Sequence, residues 1–362
     1  MKKIDWYILK KFIITFTYSL LILTIITIVV DLSEKADDFV KSGLTFGQIV
    51  MQYYIGFIPH IVALIFPLFV FISVIFFTSK MAGKSEIIAI LASGTSFHRL
   101  MLPYWLGAGM LAVTLWFSNR YLLPKANRIF STFQVKYVDG PNYRGPNASV
   151  SSIYFRVDSN RYAQVSNFDT TTKLGYNFAM QKIINNQLVD NIRADRLEWD
   201  VAQHKWKLIN AIERKIIGLK EDVTQLDTMY IPFNFKPQDI KKDEYTKDKL
   251  TTPELNRYIE LQQIRGTEGI NDLLVERYRR TATPVSVILL TFMGVAIASR
   301  KVRGGMGFHL ALGFVLALIF IFTDRFSTMF STKGDFSPVV AVWLPNIIFA
   351  MVAFYLYRKA PK

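Results

Sequence analysis

The sequence predicts an α-helical membrane protein of six transmembrane helices, with a β-rich domain inserted between the third and fourth helices. Of its 362 residues, 51% are hydrophobic and 14% aromatic, and the mean hydropathy is positive, as is typical of integral membrane proteins. Six apolar runs approach or exceed the roughly 18 residues that cross the hydrocarbon core of a bilayer. A polar stretch of ordinary domain size, about residues 125–280, separates the third run from the fourth.

The apolar runs occupy residues 12–30, 55–79, 101–119, 281–299, 308–323 and 339–357, and the fifth is slightly short. Four lysines precede the first run, so a cleaved secretory signal is an alternative for it. However, the run is long for the apolar core of a signal, and the sequence VDLSE at residues 30–34 contains no small-residue cleavage pattern. We therefore expect an uncleaved membrane anchor.

The distribution of charge predicts how the helices cross the membrane. The N-terminus, residues 80–100, residues 300–307 and the C-terminus would share one side, where thirteen lysines and arginines face only Asp5 and Glu86. The short loops of the opposite side are slightly acidic. By the positive-inside rule, both termini are cytoplasmic and the inserted domain lies outside. The positive charges behind the formal net charge of +15 are therefore placed as membrane topology requires. They are not concentrated on one soluble face, which argues against a nucleic-acid partner.

Alternating apolar and polar residues indicate that the inserted domain is mainly β. The alternation covers residues 153–157 and 176–184, and Asn185-Asn186 then supplies a turn. Residues 197–200 and 206–208 flank a second, polar turn that contains the lone His204, which is expected to face solvent. Many short strands separated by turns predict a sandwich, roll or barrel.

The inserted domain is predicted to bind or to act as a scaffold rather than to catalyse. It has no Ser/His/Asp motif, no paired histidines and no acidic metal loop. The whole chain contains no cysteine, which excludes disulfides, thiolate metal ligands and cysteine nucleophiles.

A helical connector is predicted after the strands. Residues 251–254, Thr-Thr-Pro-Glu, predict a helix start, either as a capping box or with Thr252 as the cap, and Gly266 is a plausible end. A second helix from about residue 268 is expected to continue through three arginines into the fourth span. These arginines either anchor the helix at the membrane surface or bind an anionic lipid or a partner. They are Arg277, Arg279 and Arg280.

Residues 81–94, MAGKSEIIAILASG, contain the last three letters of the phosphate-binding loop GxxxxGK[ST]. The first glycine of that loop would fall on Thr78, which belongs to the end of the second span and follows no strand. No acidic residue is placed to hold magnesium. An ATP site is therefore not predicted.

The same residues predict a short cytoplasmic helix over about residues 85–93. Ser85 can cap it, Glu86 in its first turn favours the helix dipole, and Gly94 can terminate it. Ile87 and Leu91 contribute to its apolar surface. The helix is either a structural linker on the membrane or a knob that docks into a cytoplasmic partner.

Several short stretches of the sequence occur in an order and at a spacing that are typical of one known family. They are Ile4-Asp5-Trp6-Tyr7, Ser85-Glu86-Ile87 through Ala92-Ser93-Gly94, residues 194–200 with Trp206-Lys207-Leu208, Arg280 with Pro284, Arg300 with Gly304-Gly305, and Trp343-Leu344-Pro345-Asn346. Together they resemble the lipopolysaccharide-export permeases, the paired LptF/LptG-type membrane subunits of the ATP-driven Lpt exporter. The resemblance covers nearly the whole chain.

This resemblance implies a multi-pass permease of the bacterial inner membrane, with a periplasmic jellyroll-like domain and no enzymatic activity of its own. A cytoplasmic ATPase dimer, which would hold ATP and magnesium, is expected to bind this chain and a paralogous permease. ATP-driven closure would expel lipopolysaccharide from a cavity between the permeases into their β-domains and onto a periplasmic bridge protein. A single-span accessory subunit with a similar β-domain is also expected. No cofactor or metal is expected in this chain.

The resemblance also implies residues that couple the chain to the ATPase. Glu86 would contact the ATPase, Ser85 and Gly94 would shape the coupling helix, and Ile87 and Leu91 belong to the same segment.

The resemblance further implies residues along a substrate path. Some family members carry a basic residue near the outer end of the first span, proposed to meet substrate phosphates. Here residues 31–38 are mostly acidic, and only Lys35, or Lys41 further on, could take this part. Asp324 and Arg325, at the outer end of the fifth span, are either an interfacial pair or part of a substrate gate, and Arg280 is a further candidate.

We expect residues 1–124 to form the first three helices and the coupling helix, 125–250 the β-domain, 251–280 the helical connector and 281–362 the last three helices. One alternative is the permease of another ABC exporter, moving lipoproteins or small amphiphiles, whose external domain is usually mixed α/β. The other is a membrane-anchored binding or scaffold protein without an ATPase. A membrane enzyme is disfavoured because the intramembrane polar residues, His60 and Asn346, are sparse.

Overall fold

The computed structural model describes residues 2–139, 150–169, 172–201, 203–218, 220–233, 237, 245–265, 269–300, 302 and 305–359. Gly266, predicted to end the first connector helix, and residue 268, predicted to begin the second, lie outside these ranges. The chain divides into two compact units. The membrane unit comprises residues 1–138, 248–252 and 271–362, and the β unit comprises residues 139–247 and 253–270.

Twelve α-helices lie within the described residues. They are α1 (Lys3–Glu34), α2 (Ala36–Lys41), α3 (Phe46–Ile49), α4 (Ile55–Gly83), α5 (Glu86–Ala92), α6 (Phe97–Phe117), α7 (Leu123–Phe133), α8 (Thr246–Lys249), α9 (Thr252–Arg265), α10 (Ile270–Ala298), α11 (Gly305–Lys333) and α12 (Pro338–Arg358). Three π-helical turns, Val50–Tyr54, Ser118–Leu122 and Gln134–Val138, join α3 to α4, join α6 to α7 and extend α7. The start of α9 at Thr252 confirms the predicted start of the connector.

Six continuous helical stretches in the described part of the chain are long and apolar enough to cross a membrane. Two of them join separate helices through the π-helical turns. The six stretches are Lys3–Glu34, Phe46–Gly83, Phe97–Val138, Ile270–Ala298, Gly305–Lys333 and Pro338–Arg358. Five of the predicted apolar runs fall inside one of them, and the run 281–299 passes the end of its helix by one residue, so the prediction of six spans is confirmed. The helices are longer than the runs because polar residues at their ends continue the helical backbone. At 1.5 Å per residue, α1 is about 48 Å long, whereas the hydrocarbon core is about 30 Å thick.

The third helical stretch reaches Val138. Residues 125–138, which the hydropathy pattern groups with the β-domain, are therefore helical, and the first strand begins at Val150.

Close helix contacts in the membrane unit depend on glycine. A Cβ on Gly56 would lie 2.5 Å from the carbonyl oxygen of Ala126 on α7, and one on Gly107 would lie 2.6 Å from the Phe12 ring on α1. Small residues let helices approach closely in a membrane, where burying apolar surface between helices yields little because lipid is equally apolar. Side chains of α1, α4, α6 and α10 pack into the main core of the membrane unit.

The β unit contains one antiparallel sheet of six strands in sequential order. The strands are β1 (Val150–Arg156), β2 (Arg161–Asp169), β3 (Leu174–Ile184), β4 (Gln187–Asp200), β5 (Lys205–Ile217) and β6 (Lys220–Ile231). The prediction of an all-β domain between the third and fourth spans is confirmed. From Val150 to Ile231, the described residues form strands and turns and no helix.

Two predicted turns set the register of the sheet. Asn185 and Asn186 both have positive φ, 50° and 61°, and they join Ile184 to Gln187 in a two-residue hairpin. Asparagine tolerates this conformation better than most residues, and the primed turn matches the twist of the strands. Trp199 pairs with Trp206 across the second hairpin, with ring centroids 5.1 Å apart.

One face of each central strand supplies the core of the β unit. Inward-facing residues of β2, β4 and β5 place Val165, Phe168, Leu197, Trp206 and Leu208 in that core, each fully buried. His204 lies in the second turn with a φ of 51° and is exposed, as predicted.

Candidate functional site

The α5 segment, Ser85–Gly94, forms a compact turn between α4 and α6. Ser85 has φ 60° and ψ 14°, a left-handed conformation that redirects the chain after α4. Its backbone carbonyl accepts the hydrogen bond of Ala89 N at 2.9 Å and so begins α5. Its side chain makes no capping hydrogen bond, so the prediction that Ser85 caps the helix is wrong. The left-handed backbone differs from the extended conformation in which a capping side chain reaches the first turn.

The two apolar residues predicted for this helix lie at different depths. Ile87 is only 1% exposed and packs into the core formed by α1, α4 and α6, whereas Leu91 is half-buried against that core. Ile88 is 49% exposed. Thus α5 is anchored by Ile87 and presents a different apolar residue outward, a division that follows from helical periodicity.

Glu86 begins α5 and is half-buried. The hydroxyl of Tyr7, on the second turn of α1, donates a long hydrogen bond of 3.5 Å to Glu86 Oε2. The prediction that Glu86 lies in the first turn is confirmed, and a carboxylate there interacts favourably with the helix dipole.

Gly94 ends the α5 segment as predicted. Its φ is +84°, which glycine adopts without a Cβ clash, and its N–H donates to Leu91 O at 3.0 Å. Ser96 then caps α6, because its Oγ accepts the Arg99 N–H at 3.3 Å.

An ion pair between a buried carboxylate and a partly exposed arginine, which the sequence does not reveal as a pair, joins α1 to α6. Arg99 Nη2 lies 2.6 Å from Asp5 Oδ2, and Asp5 also accepts the Lys2 N–H at 2.6 Å. Asp5 is only 5% exposed. The two residues are 94 positions apart, so the available signal was limited to a single carboxylate in a lysine-rich N-terminus and a single arginine after the α5 segment.

At the other end of α1, the Lys35 ammonium lies close to a carboxylate, to hydrogen-bonding side chains and to aromatic rings. Its Nζ is 3.1 Å from Asp31 Oδ1, donates to the Tyr53 hydroxyl, and lies 3.4 Å from Gln134 Oε1. We call these four residues the Lys35 cluster. The ammonium also lies 4.8 Å from the centroid of the Tyr53 ring and 5.6 Å from that of Phe57, within the range of cation–π attraction. Lys35 is therefore neutralised inside this chain.

The other residues of the predicted substrate path are not brought together with Lys35. Lys41, in the last turn of α2, is exposed. Arg280 is buried, and its guanidinium lies 3.0 Å from Glu276 Oε1 and 3.3 Å from Thr252 Oγ1.

Asp324 pairs with a residue on another helix rather than with its neighbour. Its Oδ2 lies 3.4 Å from Arg279 Nη2, and this contact joins α11 to α10. Arg325 is exposed. The arrangement combines one interhelical ion pair with one exposed cation, and Arg279 was predicted only as one of three arginines of the connector.

A mainly apolar groove of about 800 Å³ lies beside this position, between α11 and α12. Its lining residues are Ile319, Phe322, Thr323, Phe326, Ser327, Phe330, Asp335, Phe336 and Leu344. The groove shows that the surface of α11 near Arg325 is concave and aromatic. Such a surface suits an apolar chain better than a polar ligand.

Comparison with known proteins matches this fold to one family. The model of the family described as the lipopolysaccharide export system permease LptF/LptG matches residues 6–359. No curated protein matches the sequence. The match includes the α5 segment, the sheet and all six spans except the first three residues of α1. The chain therefore belongs to the lipopolysaccharide export permease family, a family of multi-pass inner-membrane transporter subunits that are not themselves enzymes.

Proposed function

We propose that this chain is the permease subunit of an ATP-driven ABC exporter that extracts lipopolysaccharide from the inner membrane and passes it through the β unit toward the outer membrane. The observation that carries the ATP-driven part is the α5 segment. It is a short helix between two spans, fixed by the buried Ile87 and presenting Glu86 and the exposed Ile88. A short helix that is anchored in the core can transmit the movement of a docked protein to the spans, whereas a flexible loop would change conformation instead.

In the proposed topology, both termini and the α5 segment lie in the cytoplasm and the β unit lies in the periplasm. The concentration of lysine and arginine at the chain ends and around α5 supports this orientation through the positive-inside rule. The ATPase would then reach α5, and the sheet would lie on the side toward which lipopolysaccharide must move.

The partners proposed for the chain are a cytoplasmic ATPase dimer, a paralogous permease, a single-span accessory subunit and a periplasmic bridge protein. ATP and magnesium would be held by the ATPase. Burial within this chain supports the need for a second permease. In the most apolar stretch of α1 only 6% of residues are buried, and in α11 only 17%, whereas the other four spans reach 33–67%. The faces of α1 and α11 are thus available to line a cavity shared with another subunit.

Exposure divides the proposed substrate-contacting residues into two groups. Lys41 and Arg325 are exposed cations that can meet substrate phosphates directly. Lys35, Arg280 and Asp324 each have a partner within the chain, so they would shape the path by holding helices in place.

Co-purification from native membranes tests the proposal. A tagged chain extracted in mild detergent is expected to bring with it a soluble ATPase and a second permease. Recovery of neither would contradict the exporter model and would favour the anchored scaffold protein. The all-antiparallel strands already argue against an exporter with a mixed α/β external domain.

Crosslinking in cells tests the substrate and its route. A benzophenone amino acid in place of Phe178, in the core of the β unit, is expected to capture lipopolysaccharide. The same probe at Ile217, which is 74% exposed at the end of β5, serves as the control and is expected to capture little. Equal capture at both positions, or capture of a lipoprotein at Phe178, would contradict passage of lipopolysaccharide through the sheet.

A further inference from the structure

Two polar contacts tie the start of α1 to the α5 segment and the start of α6. The first is the Asp5–Arg99 ion pair at 2.6 Å, and the second is the Tyr7–Glu86 hydrogen bond at 3.5 Å. We propose that Asp5 and Arg99 are positioning residues that transmit the movement of the α5 segment to α1. This inference rests on the proposed function, because it requires that an ATPase moves α5.

The environment of Asp5 makes the ion pair hard to break. The carboxylate is 6% exposed and lies in the first turn of α1, close in sequence to the core residues Ile8 and Phe12. A buried charge that loses its partner is strongly unfavourable, so Asp5 and Arg99 should stay together through moderate displacements of either helix. Arg99 Nη1 is also buried, which shows that the guanidinium points into the protein.

Arg99 is placed to respond to α5. It lies in the first turn of α6, where Ser96 Oγ accepts its backbone N–H at 3.3 Å, and five positions separate it from Gly94 at the end of the α5 segment. Ile87 of α5 and Phe97 of α6 pack into the same core as Ile8. A displacement of α5 therefore shifts the first turn of α6, and the ion pair carries that shift to α1.

The ion pair matters for transport because the helix that it moves, α1, borders the proposed substrate cavity. With α11, α1 is one of the two spans least buried within this chain, and it forms a wall of the proposed substrate cavity. By contrast, the Tyr7–Glu86 contact is long, so Glu86 can leave Tyr7 for a docked ATPase at little cost. Asp5–Arg99 then remains as the tie between α5 and the cavity wall.

The distance between α1 and the α5 segment can be measured with spin labels on introduced cysteines, because the chain has no cysteine of its own. Lys10→Cys on α1 and Lys84→Cys just before α5 are both exposed. In the full complex, the distance between the labels is expected to stay narrowly distributed with and without nucleotide trapped by vanadate. With Asp5→Asn, the distribution is expected to broaden or to shift on trapping. Lipopolysaccharide released per ATP hydrolysed should fall about fivefold or more, while the ATPase stays bound.

Arg99→Lys keeps the charge but removes the planar fork, and it provides a second test if Asp5→Asn does not fold. It is expected to reduce transport per ATP, and the exchange Asp5→Arg with Arg99→Asp is expected to recover part of the loss. Unchanged label distances and unchanged transport per ATP in a folded variant with bound ATPase would overturn the inference and leave the proposed function standing. Absence of an ATPase from the unsubstituted complex would overturn both.

Discussion

The ammonium of Lys35 lies 3.1 Å from the carboxylate of Asp31, one helical turn earlier, and both side chains are turned into the protein. Their side chains are 19% and 8% exposed, and Tyr53 donates to Asp31 Oδ1 at 2.9 Å. The residue best placed by sequence to meet a substrate phosphate is thus already paired with an internal carboxylate. Through Tyr53, the pair holds the end of α1 against the π-helical turn that precedes α4.

Removing the cation alone should destabilise the protein. Lys35→Met leaves the Asp31 carboxylate buried without a positive partner, and its Oδ2 already has no hydrogen-bond partner among the described residues. The expected loss is about 3 kcal/mol of unfolding free energy, the lower end for a broken buried pair. Thermal unfolding in detergent, followed by tryptophan fluorescence, measures it.

Two variants control this measurement. The double change Asp31→Asn with Lys35→Met removes both charges and should recover most of the stability. Lys41→Met, at an exposed position, should change it by about 0.5 kcal/mol or less. A Lys35→Met protein as stable as the unsubstituted chain would show that the Lys35 cluster does not hold the end of α1.

The second prediction concerns the proposed ATPase contact. Glu86→Ala removes the carboxylate at the start of α5 but leaves Ile87 in the core, so the protein should insert and fold normally. The amount of ATPase that co-purifies should fall about tenfold, because a charge-assisted hydrogen bond contributes about 1.5–3 kcal/mol. Quantitative immunoblotting of the purified complex measures the ratio.

Glu34→Ala is the matched control for that experiment, since it removes an exposed carboxylate from the opposite end of α1. It is expected to leave ATPase binding unchanged. If both variants lost ATPase equally, the effect would lie in general charge rather than in the α5 segment, and full binding by Glu86→Ala would exclude Glu86 as the contact.

The third prediction concerns the exposed cations of the substrate path. Lys41→Glu and Arg325→Glu replace an attraction for phosphate with a repulsion, and each should lower the substrate-stimulated part of ATP hydrolysis about tenfold. The basal rate should not change. Lys220→Glu, an equal charge change on the exposed start of β6, is the control. An unaltered response in both test variants would remove Lys41 and Arg325 from the path.

The six spans, the α5 segment and the asparagine hairpin could be predicted from sequence because each depends on local patterns. Long apolar runs identify the spans, and Asn185-Asn186 can form a primed turn without distant partners. The continuation of the third helix to Val138 was not predictable from hydropathy, since polar residues beyond the membrane also form helices.

Side-chain partners were the part that sequence could not supply. The choice of Arg279 over Arg325 as the partner of Asp324 depends on how α10 and α11 pack. The inward position of Lys35 likewise depends on Tyr53 and Gln134, which lie 18 and 99 positions away. Charge type and helix position therefore indicate which residues are candidates, and long-range packing decides which of them are free to act.

A fourth prediction concerns the pH dependence of the β unit. Burial raises the pKa of the Asp190 carboxyl on β4, and the nearby Glu213 adds to the rise, whereas Lys182 and Lys215 on the flanking strands oppose it. Asp190 Oδ1 is buried without a hydrogen-bond partner among the described residues. Because the folded protein favours the protonated acid, this group stabilises the fold most below the unfolded pKa of about 3.9, and that contribution is lost as the pH rises through the raised value.

Asp190→Asn should therefore raise the melting temperature at pH 7.5, because it removes the cost of ionising a buried carboxyl, and the gain should shrink as the pH falls toward 4. Differential scanning fluorimetry of the detergent-solubilised protein across this range measures the difference. Asp227→Asn, an exposed position on β6, removes the same charge and should give a small difference that does not depend on pH. A gain for Asp190→Asn that is equal at pH 4 and pH 7.5 would show that packing of the amide, rather than ionisation of the buried carboxyl, sets the stability at this position.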